Sequence, residues 1–145
     1  MTENTHPGTD PGPDDCAVFV DFDGVIIHQE QHLQWELKED ALPCPGSIEK
    51  INLWVSLGHR VFITTARTKE DLPKIKAWAK KHKLKYTDII LNCGRGPRYL
   101  INDIDPTLKL DKAAAYCITR NSGLENIAAL TSSSIKTQNG KESKV

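Results

Sequence analysis

The chain has 145 residues, the length of one ordinary domain. With 39% apolar and 26% charged residues, it is too apolar to be disordered throughout and too charged to lie in a membrane. Its 19 Lys+Arg balance 19 Asp+Glu, so it lacks the basic excess of a typical nucleic-acid binder.

Residues 1–15 carry no aliphatic or aromatic side chain after Met1 and are rich in Pro, Gly, Thr and Asp, which predicts a disordered tail. They hold neither a basic start nor an apolar run, so a secretory leader is not expected and the reading is cytoplasmic. Cys16–Asp21 is a short apolar run that predicts a buried strand. Gly46–Leu57 places Ile48, Ile51, Trp54, Val55 and Leu57 at helical spacing, with Pro45 before and Gly58 after. Arg60–Thr65 predicts a second strand. Thr68 and Asp71 have the spacing of a capping box for a helix running to about His82. Thr87–Asn92, Tyr99–Asp103 and Ala113–Ile118 predict three further strands, and Ser122-x-x-Glu125 a last helix through Leu130. Residues 131–145 are again polar and predict a flexible C-terminal tail. The expected core is therefore 16–130.

Alternating strands and helices predict right-handed crossovers and a parallel sheet, in a three-layer Rossmann-like α/β fold with helices on both faces. Four scattered cysteines, Cys16, Cys44, Cys93 and Cys117, form no CxxC pair and are read as free thiols. Seven lysines, at 69, 74, 76, 80, 81, 83 and 85, crowd one helix and its exit and are read as a solvated face.

Ligands of such sheets bind beyond the carboxyl ends of the strands. The first strand ends in Asp21-Phe22-Asp23-Gly24, the second in Thr64-Thr65-Ala66-Arg67 and the fourth in Asn102-Asp103-Ile104-Asp105. Two carboxylates from neighbouring strands, Asp21 and Asp103, suit a hard cation such as Mg²⁺. A carboxylate beside such an ion can attack phosphorus. Asp23 is placed to exchange a proton with the leaving oxygen and with water. Thr65 offers a hydroxyl to a phosphate oxygen.

Asp21-Phe22-Asp23-Gly24-Val25 resembles the DxDGT/V motif of the haloacid dehalogenase-like (HAD) phosphatase superfamily. Thr65-Ala66-Arg67 resembles its second motif, and Leu100-Ile101-Asn102-Asp103 its acidic fourth motif. The runs Gly96–Asp103 and Arg120–Leu124 are similar to small members associated with capsule and lipopolysaccharide sugar biosynthesis. The resemblance spans about residues 16–125. It implies a phosphatase acting on a small phosphorylated metabolite, a sugar phosphate by preference. Asp21 would then be nucleophile and Mg²⁺ ligand, and Asp23 the acid/base with its backbone carbonyl on the metal. Thr65 would hold the phosphoryl group, and Asp103 would complete the metal site beside Asn102, with Asp105 further out.

The usual third-motif Lys is missing, since Gly94-Arg95-Gly96-Pro97-Arg98 stands there. Arg95 or Arg98 can substitute, because a guanidinium fork matches phosphate; Lys85 is a third candidate. The missing Lys also favours a second reading, a silent binding or regulatory protein on the same fold. A response-regulator receiver fits less well, because its acids are adjacent rather than alternating. Residues 25–44 leave room for a flap but for no folded cap, so His28, His32, Trp35 and Glu36 are candidate substrate contacts. An open site of this kind takes a large substrate or is closed by another subunit, which makes a homo-oligomer a candidate assembly.

Overall fold

The structure is a computed structural model that describes residues 16–30, 36–128 and 130. The two expected tails, and His32 and Trp35 of the flap, lie outside these residues. The chain forms two compact units. The first holds the described residues up to Arg95 together with Ile118–Asn126, and the second holds Gly96–Cys117 and the described residues from Ile127 on.

In the first unit, β1 (Ala17–Asp21), β2 (Arg60–Thr64) and β3 (Asp88–Ile90) form a parallel sheet in the order β1-β2-β3. Asp21 pairs with Thr64, and Thr64 with Ile90, so the three carboxyl ends finish level. Helix α1 (Ser47–Ser56) connects β1 to β2, and α2 (Leu72–Lys81) connects β2 to β3. Both crossovers step the same way across the sheet, and right-handed crossovers that do so put their helices on one face. Burial agrees. Val20, Val61 and Ile63 on that face are buried, whereas Phe19 and Ile90 on the other are 49% and 39% exposed. Phe19 stacks on its cross-strand partner Phe62, with ring centroids 5.3 Å apart. The expected second layer of helices is therefore not found among the described residues.

Buried Ile51 and Trp54 of α1 and Ile75, Trp78 and Ala79 of α2 supply the helical side of the core. Trp78 meets Phe22 edge-on at 5.7 Å, and its indole N–H donates to the Ala41 carbonyl (2.8 Å). Burying that ring without a partner for its N–H would cost free energy. The bond also ties α2 to the arm between Asp23 and α1. In that arm Ile26–His28 runs against Leu42–Cys44, through bonds from His28 N–H to Leu42 and from Cys44 N–H to Ile26 (both 2.8 Å). These bonds order the described residues of the arm.

The capping box does not form. Lys69–Asp71 makes a 3₁₀ turn before α2, and Pro73 opens the α-helix proper. Pro is well suited to a first turn because its missing N–H has no helical partner there. The Thr68 hydroxyl goes to the Glu70 carboxylate, which lowers the Glu70 pKa. Asp71 instead lies 3.7 Å from the Arg67 guanidinium.

The later elements depart furthest from expectation. Tyr99–Asp103 is not a strand, and Ala113–Ile118 is not one either. The second unit has only β4 (Ile104–Asp105) and β5 (Leu110–Asp111), paired antiparallel with each other. Asp105 organises the turn between them, its carboxylate accepting the Thr107 and Leu108 N–H groups (both 2.8 Å). These bonds hold its pKa below the ordinary carboxylate value, Leu108 contributing most. Such local side-chain bonds compete with strand ladders. Three successive alanines further weaken the expected fifth strand.

The expected last helix is a turn. Asn121 and Gly123 take left-handed φ values of 69° and 84°. The Ser122 hydroxyl turns back to the Thr119 carbonyl (2.7 Å), and the Leu124 N–H donates to Pro45 (3.1 Å) rather than along a helix. Among the described residues, no helix is long and apolar enough to cross a membrane.

Candidate active site

Asp21 is the last residue of β1 and Thr64 the last of β2. Their register alone makes the side chains neighbours, and the Thr64 hydroxyl lies 3.3 Å from the Asp21 carboxylate as a donor. The Phe22 N–H continues the ladder to the Thr64 carbonyl (2.9 Å), and the Thr65 N–H to the Ile90 carbonyl (3.1 Å). Backbone order therefore persists one residue past β1 and β2, into Phe22 and Thr65.

Beyond Phe22 the chain turns sharply. The Ile26 and Ile27 N–H groups both donate to the Phe22 carbonyl (3.0 Å each), and the Gly24 N–H to Ile27 (2.8 Å). Gly24 has φ +89°, a conformation an L side chain rarely adopts. Phe22 and Ile26 are fully buried beneath this turn. The alternation of buried Phe22 with Asp21 and Asp23 on either side presents both acids away from the core.

Thr65 is fully buried, and its hydroxyl lies 3.3 Å from the Asp23 carboxylate. The same oxygen accepts the Arg67 N–H (3.0 Å). The Arg67 guanidinium then forks onto Asp23. Its Nε lies 3.1 Å from both carboxylate oxygens and its Nη2 lies 2.8 Å from Oδ1. The two side chains are only 9% and 13% exposed. A bidentate, charge-assisted pair of this kind is strong and directional. The Arg67 carbonyl accepts the Asn92 N–H (2.9 Å) and the Thr65 carbonyl the Cys93 N–H (3.0 Å), so the residues after β3 brace those after β2.

The structure thus brings together Asp21, Asp23 and Thr65 of the sequence-predicted residues, and adds Thr64 and Arg67. Arg67 stands in the motif quoted above, yet composition and spacing gave it no role. The available signal was its place two residues past Thr65 with Asp71 four residues on, an acid-flanked Arg at a strand exit. Arg95 ends the first unit in an exposed loop after Gly94, whose φ is +78°. Arg98 and Asp103 belong to the second unit. There Arg98 donates to the Gly96 carbonyl (2.8 Å), and the Asp103 N–H to the Asn102 side chain (2.9 Å). Asp105 is engaged in its hairpin turn. Lys85, the other cation considered, donates its backbone N–H to the Asn52 side chain (2.8 Å). His28 of the flap is exposed, 3.2 Å from the Asn121 amide. Glu36 is 3.6 Å from Lys74 at the surface.

A Mg²⁺ site can be tested on the donor set. No group of three or more His, Cys, Asp and Glu side chains gathers among the described residues. Mg²⁺ does not require one, because it keeps several waters and is held by one or two carboxylates plus substrate phosphate. Asp21 and Asp23 are the two carboxylates of this cluster, and Arg67 is forked onto the second.

The chain matches no protein-family model, and a search of curated proteins gives no match. Among solved structures it is similar to the crystal structure of a target protein from Vibrio cholerae, at 24% identity and a TM-score of 0.45, over 59% of this chain and 78% of that one.

Proposed function

We propose that this chain is a HAD-type, Mg²⁺-dependent phosphomonoesterase acting on a small phosphorylated metabolite, with a sugar phosphate the preferred class. The supporting observation is the cluster of Asp21, Asp23 and Thr65 at the level carboxyl ends of parallel β1 and β2, with Arg67 forked onto Asp23. The sequence order of the three motifs supports the same reading.

In this mechanism an Asp21 carboxylate oxygen attacks phosphorus and the bond to the leaving oxygen breaks, leaving an aspartyl phosphate. Asp23 would take up a proton on Oδ2 while Arg67 Nη2 keeps Oδ1, and give that proton to the leaving oxygen. It then takes a proton from the water that attacks phosphorus and restores Asp21. Arg67 and Thr65 fix the Asp23 carboxyl in direction, and the Thr64 hydroxyl steadies Asp21. A Thr65 hydroxyl turned away from Asp23 would donate to a phosphoryl oxygen. Asp21 and the Asp23 backbone carbonyl would hold Mg²⁺, which when bound offsets phosphoryl charge and aligns the ester with the nucleophile. Arg95, in the same unit, would supply the cation of the missing third motif.

A second reading draws on the same fork. With both Asp23 oxygens engaged by Arg67, a protein that binds a phosphorylated ligand without turning it over fits the resting geometry. A screen of phosphomonoesters with the full chain and Mg²⁺ separates the two. The phosphatase reading expects turnover of a sugar phosphate that is lost on removing Mg²⁺. Ligand-induced stabilisation without any released phosphate would establish the binding reading instead.

A further inference from the structure

Arg120 and Asn121 lie 97 and 98 residues beyond Asp23 in sequence, yet they pack on the turn that follows it. Asn121 makes most of that contact. Its N–H donates to the Gly24 carbonyl (2.7 Å), its side-chain oxygen accepts the Gln29 N–H (2.8 Å), and its amide donates to the Gln29 carbonyl (3.1 Å). The amide also lies 3.2 Å from His28 Nε2. One residue, through its backbone N–H and its side chain, therefore spans the turn from Gly24 to Gln29. Its left-handed φ of 69° is tolerated best by Asn among residues with side chains.

This bracing places Arg120 over Gly24. A methyl group added at Gly24 would meet Arg120 Cγ at 3.2 Å and Cδ at 3.8 Å. The aliphatic stem is thus laid across the residue next to Asp23, while the residue as a whole is exposed. Among the described residues, no acid or carbonyl partner is recorded for its guanidinium. Arg67, by contrast, is committed to Asp23. An anchored stem with an uncommitted fork beside the turn after Asp23 suits recognition of an anion.

We propose that Arg120 is a specificity-determining residue that binds a second anionic group, phosphate or carboxylate, on the leaving-group side of the substrate. The inference rests on the phosphatase reading for its geometry. On that reading a leaving group held at Asp23 would lie next to Gly24, the residue over which the Arg120 stem is laid. Asn121 is the positioning residue that holds that cation in place.

The test uses the full chain with Mg²⁺ and three probes: glucose 1-phosphate, glucose 1,6-bisphosphate and 6-phosphogluconate. Wild type should prefer the two dianchored probes over glucose 1-phosphate by about tenfold in kcat/KM. R120Q should abolish that preference through KM and leave glucose 1-phosphate within twofold, and R120K should retain part of it. The bisphosphate and the phosphogluconate arms show which second anion is favoured. Equal losses on all three probes in R120Q, or no preference in wild type, would overturn the assignment while leaving the phosphatase reading intact. If nothing is turned over, calorimetric binding to D21N and D21N/R120Q decides. Tighter binding of a second-anion probe that needs Arg120 keeps the inference while the phosphatase reading falls; binding unaffected by R120Q, or no binding, overturns it.

Discussion

Substituting Gly123 by alanine tests the unusual path of the C-terminal segment. A Cβ at this position would overlap the Pro45 carbonyl oxygen and lie 2.8 Å from the Pro45 carbon and nitrogen. All three are backbone atoms, so no rotamer change relieves the clash. The φ of +84° adds strain for any L side chain, about 1 kcal/mol. The molecule can respond by releasing the segment. It then loses the Asn121 bonds to Gly24 and Gln29 and the Leu124 bond to Pro45, four bonds worth about 1 kcal/mol each. Exposing Leu124, now 5% accessible, costs about 2 kcal/mol more. Recovered chain entropy, about 1 kcal/mol per freed residue, offsets part of this. The expected destabilisation is about 2–4 kcal/mol. Urea unfolding followed by fluorescence of the buried Trp54 and Trp78 measures it. Gly96→Ala is the control, since a methyl there meets nothing within 4 Å. A G123A midpoint as close to wild type as that of G96A would refute the described packing.

Other outcomes follow from the same geometry. Replacing Arg67 by methionine should lower kcat about 10²-fold, the usual contribution of a positioned acid/base, while changing KM little; steady-state kinetics on the best substrate checks it. His82 stacks on Trp78 at 4.1 Å, and burial, aided by the Lys81 charge, lowers its pKa from 6.5. The unfolded chain therefore takes up the proton first. The stability linked to neutral His82 is present in full above about pH 6.5 and is lost as pH falls below it, a slope that His82→Gln should flatten in urea titrations at pH 5–7. Burial pushes the Cys44 thiol up to about 11. At pH 8 its thiolate fraction is about two orders of magnitude below that of an ordinary cysteine of pKa about 8.5. Cys44 should thus react with a disulfide reagent far more slowly than exposed Cys117.

The part of the fold legible in the sequence is the part whose periodicity agrees with its tertiary setting. The first three strands and two helices have apolar runs of the right length with conventional punctuation, and they appear within a few residues of expectation. Asp21, Asp23 and Thr65 were legible for the same reason, because a level parallel sheet converts strand-end position into proximity. Tyr99–Asp103 shows the limit. Its Tyr, Leu and Ile read as a strand, but Tyr99 and Ile101 are 86% and 93% exposed. Apolar pattern signals a wish for burial without naming the partner. Thr68 and Ser122 both carry capping signals, and both hydroxyls find other partners nearby. The contacts of Arg67 and Asn121 were harder to read, because their partners lie 44 and 92 residues away in sequence.

The central claim is that Asp21 attacks phosphorus. Turning over the preferred phosphomonoester with the full chain and Mg²⁺, quenching with borohydride and mapping the reduced residue by mass spectrometry tests it directly. An aspartyl phosphate is reduced to homoserine, and the account predicts that product at position 21 alone, with neither product nor turnover in D21N. Homoserine at another position, wild-type turnover in D21N, or turnover that never labels Asp21 would contradict it.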